Sequence, residues 1–328
     1  MKAFVFRSYG SPDVFALTDV DRPEPGAGEV LVRVRATSVQ PADWHLMRGE
    51  PYFARLLPGP LGLRRPKISI LGADVAGRVE AVGANVTGFR PGDEVFGLLG
   101  GGGFAEYVCV GADLLAPKPK NLSFEQAAAM PLAGITALYG LRGTGRLQSG
   151  QKVLINGASG GVGTFAVQIA KASGAHVTAV CGSRNVDLVR SIGADEVIDY
   201  TARDFTRREE RYDLLLDVAG SRSGWVCRRV LTRKGTFVAV GGRPGRWLQP
   251  AGHIFAALAS SPFVSQRMVF ADVYGRADRK ESLTTLTELV EAGKIAPVID
   301  RTYPFEDIPA ALAYQEQGHA PGKVVVTV

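Results

Sequence analysis

The sequence is poor in cysteine and has no long apolar run. Its three cysteines, Cys109, Cys181 and Cys227, stand far apart in 328 residues and form no CxxC pair. That spacing excludes a disulfide framework and a four-cysteine structural zinc site, and fits a reducing compartment. No stretch approaches the roughly 20 apolar residues that a membrane helix needs. The opening "MKAFVFRSYGSPDVF" meets polar and turn residues too soon for a secretory signal. A soluble, cytoplasmic protein is expected, with no membrane partner. Charge of one sign is also scarce: the net charge is +6, and much of the excess lies between Arg203 and Arg246. So mild and scattered an excess reads as a solvated basic face rather than a nucleic-acid footprint.

The chain does have the length for two domains, each burying its own core. The first 125 or so residues are turn-rich and strand-like, with alternation in "GEVLVRVRATSV" and a turn feeding a strand in "RPGDEVFG". "SFEQAAAMPLAGITALYGL" changes to a helical period, opening on Ser123 with Gln126 three residues on, as a capping box requires. From Gln151 strands and helices alternate, which predicts a parallel, doubly wound α/β sheet. The stretch from Arg243 to Arg279 is less regular. A helix "ESLTTLTELVEAG", a strand "IAPVIDRTYPF", a short helix and the strand "GKVVVTV" follow, and these last strands are expected to return to the first domain or to bridge the two. The predicted division is a mostly β domain over residues 1–125, completed by about 296–328, and a nucleotide-binding domain over 126–295.

Within "VLINGASGGVGTF" the dinucleotide fingerprint G-x-G-x-x-G appears with Ala158, Gly160 and Gly163 at its three glycine positions. Gly160 lets backbone approach a pyrophosphate, Gly163 lets the helix lie close on the strand, and the helix N-terminus offers free N–H groups to an anion. Asn156, Ser159, Gly161 and Val162 complete the loop, and Gly241 and Gly242 end a later strand of the same domain. An Asp or Glu ending the second strand would take both adenosine ribose hydroxyls and repel a 2′-phosphate. Gly182 stands there instead, followed by Ser183 and Arg184, a hydroxyl donor and a permanent cation suited to phosphate. The expected cofactor is therefore NADPH, with Tyr200, after the third strand, packing beside the same phosphate.

These residues, with "GDEVFG", "GFAEYV", "PLAGITAL" and "GHAPGKVVVTV", resemble the medium-chain dehydrogenase/reductase superfamily, and within it the zinc-free, quinone-oxidoreductase-like branch, over nearly the whole length. The resemblance implies a GroES-like catalytic domain, a Rossmann domain, an active site in the cleft between them, and a homodimer. It also places the hydroxyl of Thr136 near the nicotinamide. The zinc members carry a cysteine ligand in G-I-C-x-x-D and a histidine ligand in G-H-E. Here Gln40 and Ala73 stand at those positions, while Asp43 keeps its own.

Zinc in such a site holds the oxygen of a simple alcohol as a Lewis acid. Without it, hydride transfer remains feasible to acceptors that delocalise their own charge: a quinone, an α,β-unsaturated carbonyl, or a reactive aldehyde. Those substrates need orientation and a hydrogen-bond donor. Gln40 is the expected donor to the acceptor oxygen, Asp43 orients its neighbours or contacts the cofactor, and Tyr52, with Trp44 and His45, forms the wall over a flat substrate. Two rival readings stand beside this reductase: an NADPH-binding sensor or interaction protein with little turnover, and an alcohol dehydrogenase with an unconventional metal site.

Overall fold

The structure, a computed structural model, describes residues 1–242, 245–273 and 278–328. In chain order its strands begin with β1 (Lys2–Val5), β2 (Ala16–Asp19), β3 (Glu29–Val39), β4 (Asp74–Val82), β5 (Glu94–Leu98), β6 (Tyr107–Gly111) and β7 (Leu115–Pro117). They continue with β8 (Lys152–Asn156), β9 (His176–Cys181), β10 (Glu196–Asp199), β11 (Tyr212–Asp217), β12 (Leu231–Ala239), β13 (Arg267–Phe270), β14 (Ile299–Pro304) and β15 (Lys323–Thr327). The helices are α1 (Pro41–Arg48), α2 (Phe124–Ala128), α3 (Pro131–Leu138), α4 (Gly161–Ala172), α5 (Val186–Ser191), α6 (Gly224–Cys227), α7 (Ala251–Ser260), α8 (Arg279–Glu291) and α9 (Ile308–Glu316).

The chain forms two compact units, one of Met1–Leu132, Ala277–Glu291 and Pro297–Val328, the other of Ala133–Arg276 and Ala292–Ala296. The first is organised around β3. Its alternation turns Val30, Val32 and Val34 into the core and Arg33 and Arg35 outward. It pairs antiparallel with β4, β6 and β15, the last in the register Val324↔Val39, so the C-terminal strand completes this sheet. The sequence pattern assigned α8 to the nucleotide-binding domain. It belongs instead with the first unit, because it packs on β5 and β7.

The second unit is a parallel sheet of order β10-β9-β8-β11-β12-β13. Its inner strands are apolar runs rather than alternating ones because helices cover both faces, and Val153, Leu154 and Ile155 are all fully buried. The order reverses between β8 and β11, the place where open α/β sheets take ligands, beyond the carboxyl ends of the strands. The helical stretch opening on Ser123 has the expected capping box: Ser123 Oγ accepts from Gln126 N at 3.2 Å and Gln126 Oε1 from Ser123 N at 3.0 Å. It is not one helix, since Pro131 lacks the N–H that would continue the ladder, and α3 starts afresh there.

Candidate functional site

In the first unit, α1 is built to hold a carboxylate inside. Pro41 presets its first turn, Gly49 ends it in the left-handed conformation, and Gln40 N donates to Asp43 Oδ2 at 2.8 Å. Asp43 Oδ1 accepts from Gly72 N at 3.2 Å, tying α1 to the loop before β4. Asp74, the first residue of β4, is fully buried. Its Oδ1 accepts from Leu132 N at 2.9 Å, and its Oδ2 accepts from Ser38 Oγ at 2.7 Å and from Gln40 Nε2.

The cation for this cluster comes from the far end of the chain. Lys323 Nζ, the first residue of β15, lies 3.6 Å from Asp74 Oδ2 and donates to Gln40 Oε1 at 2.7 Å. Burial pushes both carboxylates up, Asp43 from 3.8 to about 7 and Asp74 in the same direction against the pull of Lys323. Burial likewise pushes the Lys323 ammonium down. Lys323 carried no signal in "GHAPGKVVVTV" beyond being a charge that opens an apolar strand. Its partners became visible only through the pairing of β15 with β3.

The titration of Asp43 has a definite consequence. Its folded value lies above its ordinary value, so its stabilising contribution is present below about pH 4 and is lost as pH rises through about 7. Wild-type unfolding free energy is expected to carry a declining component across that window. Asp43→Asn should flatten it, and an unchanged slope in the variant, measured by denaturant unfolding across the range, would count against the assignment.

Gln40 is 2 % exposed, and both ends of its amide point into this cluster. It therefore donates to Asp74 and Ser38 rather than standing free for an acceptor oxygen, and the reason is that two buried carboxylates need every donor within reach. Tyr52 opens a 3₁₀ turn and is half-buried, with the Arg55 guanidinium 4.7 Å from its ring centre. Trp44 belongs to the hydrophobic core and stacks on His45 at 3.7 Å; burial pushes the half-buried His45 ring down to about 4.

In the second unit, β8 runs into the glycine loop and α4. A Cβ on Gly163 would lie 2.1 Å from Gly157 O, so only glycine lets the helix approach the strand this closely. A Cβ on Gly160 would meet nothing nearer than Gly157 O at 3.7 Å, which leaves that face of the loop open. Ala158 is fully buried and its N donates to Val180 O at 3.0 Å, so it anchors the loop. Ser159 Oγ accepts from Asn185 Nδ2 at 3.1 Å. Gly161 and Val162 form the first turn of α4, half-buried. Thr136 is buried on α3, and Gly241 and Gly242 follow β12, where a Cβ on Gly241 would lie 2.9 Å from Val218 O.

At the end of β9, Ser183 and Arg184 are exposed, and Arg184 has no hydrogen bond or ion pair among the described residues. Tyr200 brings its hydroxyl 3.2 Å from where a Gly182 side chain would begin, so it occupies the space an acidic residue would fill. Pattern reading overlooked Asp199, which ends β10 beside Cys181. Its carboxylate accepts from Thr201 N and Thr201 Oγ1 at 2.9 and 2.7 Å, and Thr201 Oγ1 lies 3.0 Å from Ser183 Oγ. The signal was present in "EVIDY" as an acid directly before the tyrosine.

Residues 26–120 match the alcohol dehydrogenase GroES-like domain, and residues 192–326 match the zinc-binding dehydrogenase family. The chain is 35 % identical over 341 residues to the chloroplastic quinone-oxidoreductase QR1 of Triphysaria versicolor, covering 99 % of this chain and 98 % of that protein. The chain belongs to the medium-chain dehydrogenase/reductase superfamily. Within that superfamily it falls in the quinone-oxidoreductase-like branch. It is also 34 % identical over 340 residues to the chloroplastic NADPH-dependent alkenal/one oxidoreductase of Arabidopsis thaliana, covering 99 % of this chain and 79 % of that protein. The structure of Escherichia coli quinone oxidoreductase complexed with NADPH superposes with a TM-score of 0.84 at 25 % identity, covering all of both chains. The protein is an oxidoreductase of the NAD(P)H-dependent medium-chain type. No helix among the described residues is long and apolar enough to cross a membrane.

The zinc named in one matching family does not fit the side chains of this medium-chain reductase. Where a thiolate and an imidazole would be needed it offers an amide and the methyl of Ala73. The amide oxygen already takes an ammonium, whose charge opposes any added cation.

Proposed function

We propose that the protein is a zinc-independent, NADPH-dependent reductase of quinones or α,β-unsaturated carbonyl compounds. One observation carries the metal-free reading: a buried lysine, rather than a metal, supplies the cation beside Asp74. Gln40 and Asp43 act as positioning groups of that cluster, and Tyr52 contacts the flat acceptor.

Gly160, Gly161 and the start of α4 fit a pyrophosphate, because the loop backbone is open on that side and the helix offers free N–H groups. Asn156, Gly241, Gly242 and Thr136 serve the nicotinamide half. Bound there, the reduced nicotinamide supplies a hydride. Ser183, Arg184 and Tyr200 take the 2′-phosphate, a reading supported by a guanidinium without an ion pair among the described residues and by the glycine at 182. Asp199 opposes it. Its carboxylate is turned onto Thr201, which leaves Arg184 as the nearer charge along the chain.

Free cysteines throughout support a reducing, cytoplasmic setting. A homodimer is supported by the edge position of β13 and the exposed Phe255 and Leu258 on α7. Arg184→Ala tests the cofactor assignment. The loss of one charge-assisted phosphate contact is expected to raise KM for NADPH by about tenfold or more and to leave KM for NADH within about twofold. Equal effects on both cofactors, or a wild-type preference for NADH, would remove the phosphate site. Retained quinone reduction after exhaustive chelation tests the metal-free reading.

A further inference from the structure

The carboxyl edge of the second sheet carries a polar cluster of which the reductase reading uses Asn156 alone, leaving Asp217 and His253 without a role. Asp217, the last residue of β11, is fully buried at the point where the strand order reverses. Its Oδ1 accepts from Asn156 Nδ2 at 2.7 Å and from Gly220 N at 3.0 Å. Its Oδ2 lies 3.0 Å from Nε2 of His253, which α7 brings over the end of the sheet. One carboxylate thus joins the end of β8, the turn after β11 and a histidine. The thiol of Cys227, on neighbouring α6, is pushed up by its own burial and by the charge of Asp217.

The geometry determines the ring's chemistry. A carboxylate only accepts, so Nε2 of His253 carries a proton and Nδ1 is left as the working atom. Nδ1 has no partner among the described residues and is not enclosed, for the side chain keeps 10 % of its exposure. An oriented imidazole with one free nitrogen, backed by a buried carboxylate, is an arrangement suited to proton transfer.

We propose that His253, held by Asp217, is the proton donor that completes reduction of the acceptor. The inference rests on the reductase reading and adds to it the group that supplies the second hydrogen. The acceptor receives a hydride, with its electron pair, from the reduced nicotinamide, which is thereby oxidised. The acceptor's oxygen becomes an enolate or phenolate anion. The Nδ1–H bond of the imidazolium breaks and an O–H bond forms on that oxygen. Neutral His253 keeps its Nε2 proton on Asp217 and regains the Nδ1 proton from water. Asp217 is a positioning residue throughout.

The test is His253→Gln in the full-length protein, with turnover of a simple enone and NADPH affinity measured side by side. The expected result is a fall in kcat on the order of 10²-fold with the NADPH Kd changed by less than about threefold. A kcat within about twofold of wild type would overturn the proposal, as would a parallel loss of kcat and affinity, which would mark a mere anchor for α7. A second readout needs no turnover. The sequence has only four histidines, so the His253 ring resonance can be assigned by its loss in the variant. It is expected to shift when NADP⁺ and an unreactive acceptor analogue are added together, and a resonance that ignores them would also overturn the proposal. A wild-type protein that binds NADPH yet reduces no acceptor would defeat the reductase reading and this proton step with it. An active wild type with an equally active variant would defeat the proton step alone.

Discussion

Replacing Lys323 with methionine is expected to destabilise the protein by about 3–5 kcal/mol, because it strands the Asp74 carboxylate without a cation. Lys323 is buried and contacts both Gln40 and Asp74. Methionine fills the volume but donates nothing, so Gln40 Oε1 also loses a partner. The loss should be smaller in mildly acidic solution, since burial already favours the protonated form of Asp74 and protonation removes the stranded charge. Asp74→Asn should cost less than Lys323→Met, and the double variant should be more stable than the sum of the two single losses predicts. Urea midpoints of the four proteins at about pH 6 and about pH 8 decide the matter. Strict additivity, or a lysine loss that ignores pH, would mean that the cluster is not held by this charge.

Two glycines of the nucleotide loop should fail in different ways. Gly163→Ala places a methyl 2.1 Å from Gly157 O and 2.7 Å from Ala158 Cα, backbone that cannot move aside. Helix α4 must then lift from β8 and carry with it the buried Phe165, Val167 and Ile169. The expected cost is about 3 kcal/mol or more in stability, with cofactor affinity falling alongside. Gly160→Ala meets nothing within 3.7 Å and sits at a φ of −80° that alanine tolerates. Its stability should stay within about 0.5 kcal/mol of wild type, while the NADPH Kd rises by about tenfold or more because the methyl group occupies the path of the pyrophosphate. Calorimetry for stability and fluorescence titration for NADPH separate the two. If Gly160→Ala bound NADPH normally, the open face of the loop would not be the phosphate site.

These contrasts follow how far apart in sequence the interacting groups lie. The glycine loop was readable because its logic is local: strand, turn and helix are adjacent, and each glycine answers to a neighbour a few positions away. The same holds for the capping box of Ser123 and Gln126. The arrangement of Gln40 was not readable. Its partners Asp74 and Lys323 lie 34 and 283 positions away, and only the pairing of β3 with β4 and β15 brings them together. A glutamine viewed alone looks like a free donor; beside two buried carboxylates its donors are already committed. Asp199 was missed for a similar reason, since its place beside Cys181 depends on the parallel register of β10 and β9. His253 lay in the least regular stretch, where no period announced α7. Within that stretch, residues 243, 244 and 274–277 lie outside the described residues.

By itself the sequence determined the class of fold, the strand, glycine turn and helix of the second unit, the lack of an acid after β9 and the presence of an amide and a methyl at Gln40 and Ala73. Each of these depends on residue identity at short spacing, and a short segment cannot adopt a different local chemistry without different residues. The tertiary structure alone decided which polar groups share a buried volume: Lys323 with Asp74 in one sheet, His253 with Asp217 at the carboxyl end of an inner strand of the other. In low dielectric a charge is stable only where another element delivers its partner, and that delivery depends on strand pairing and helix packing rather than on any local pattern.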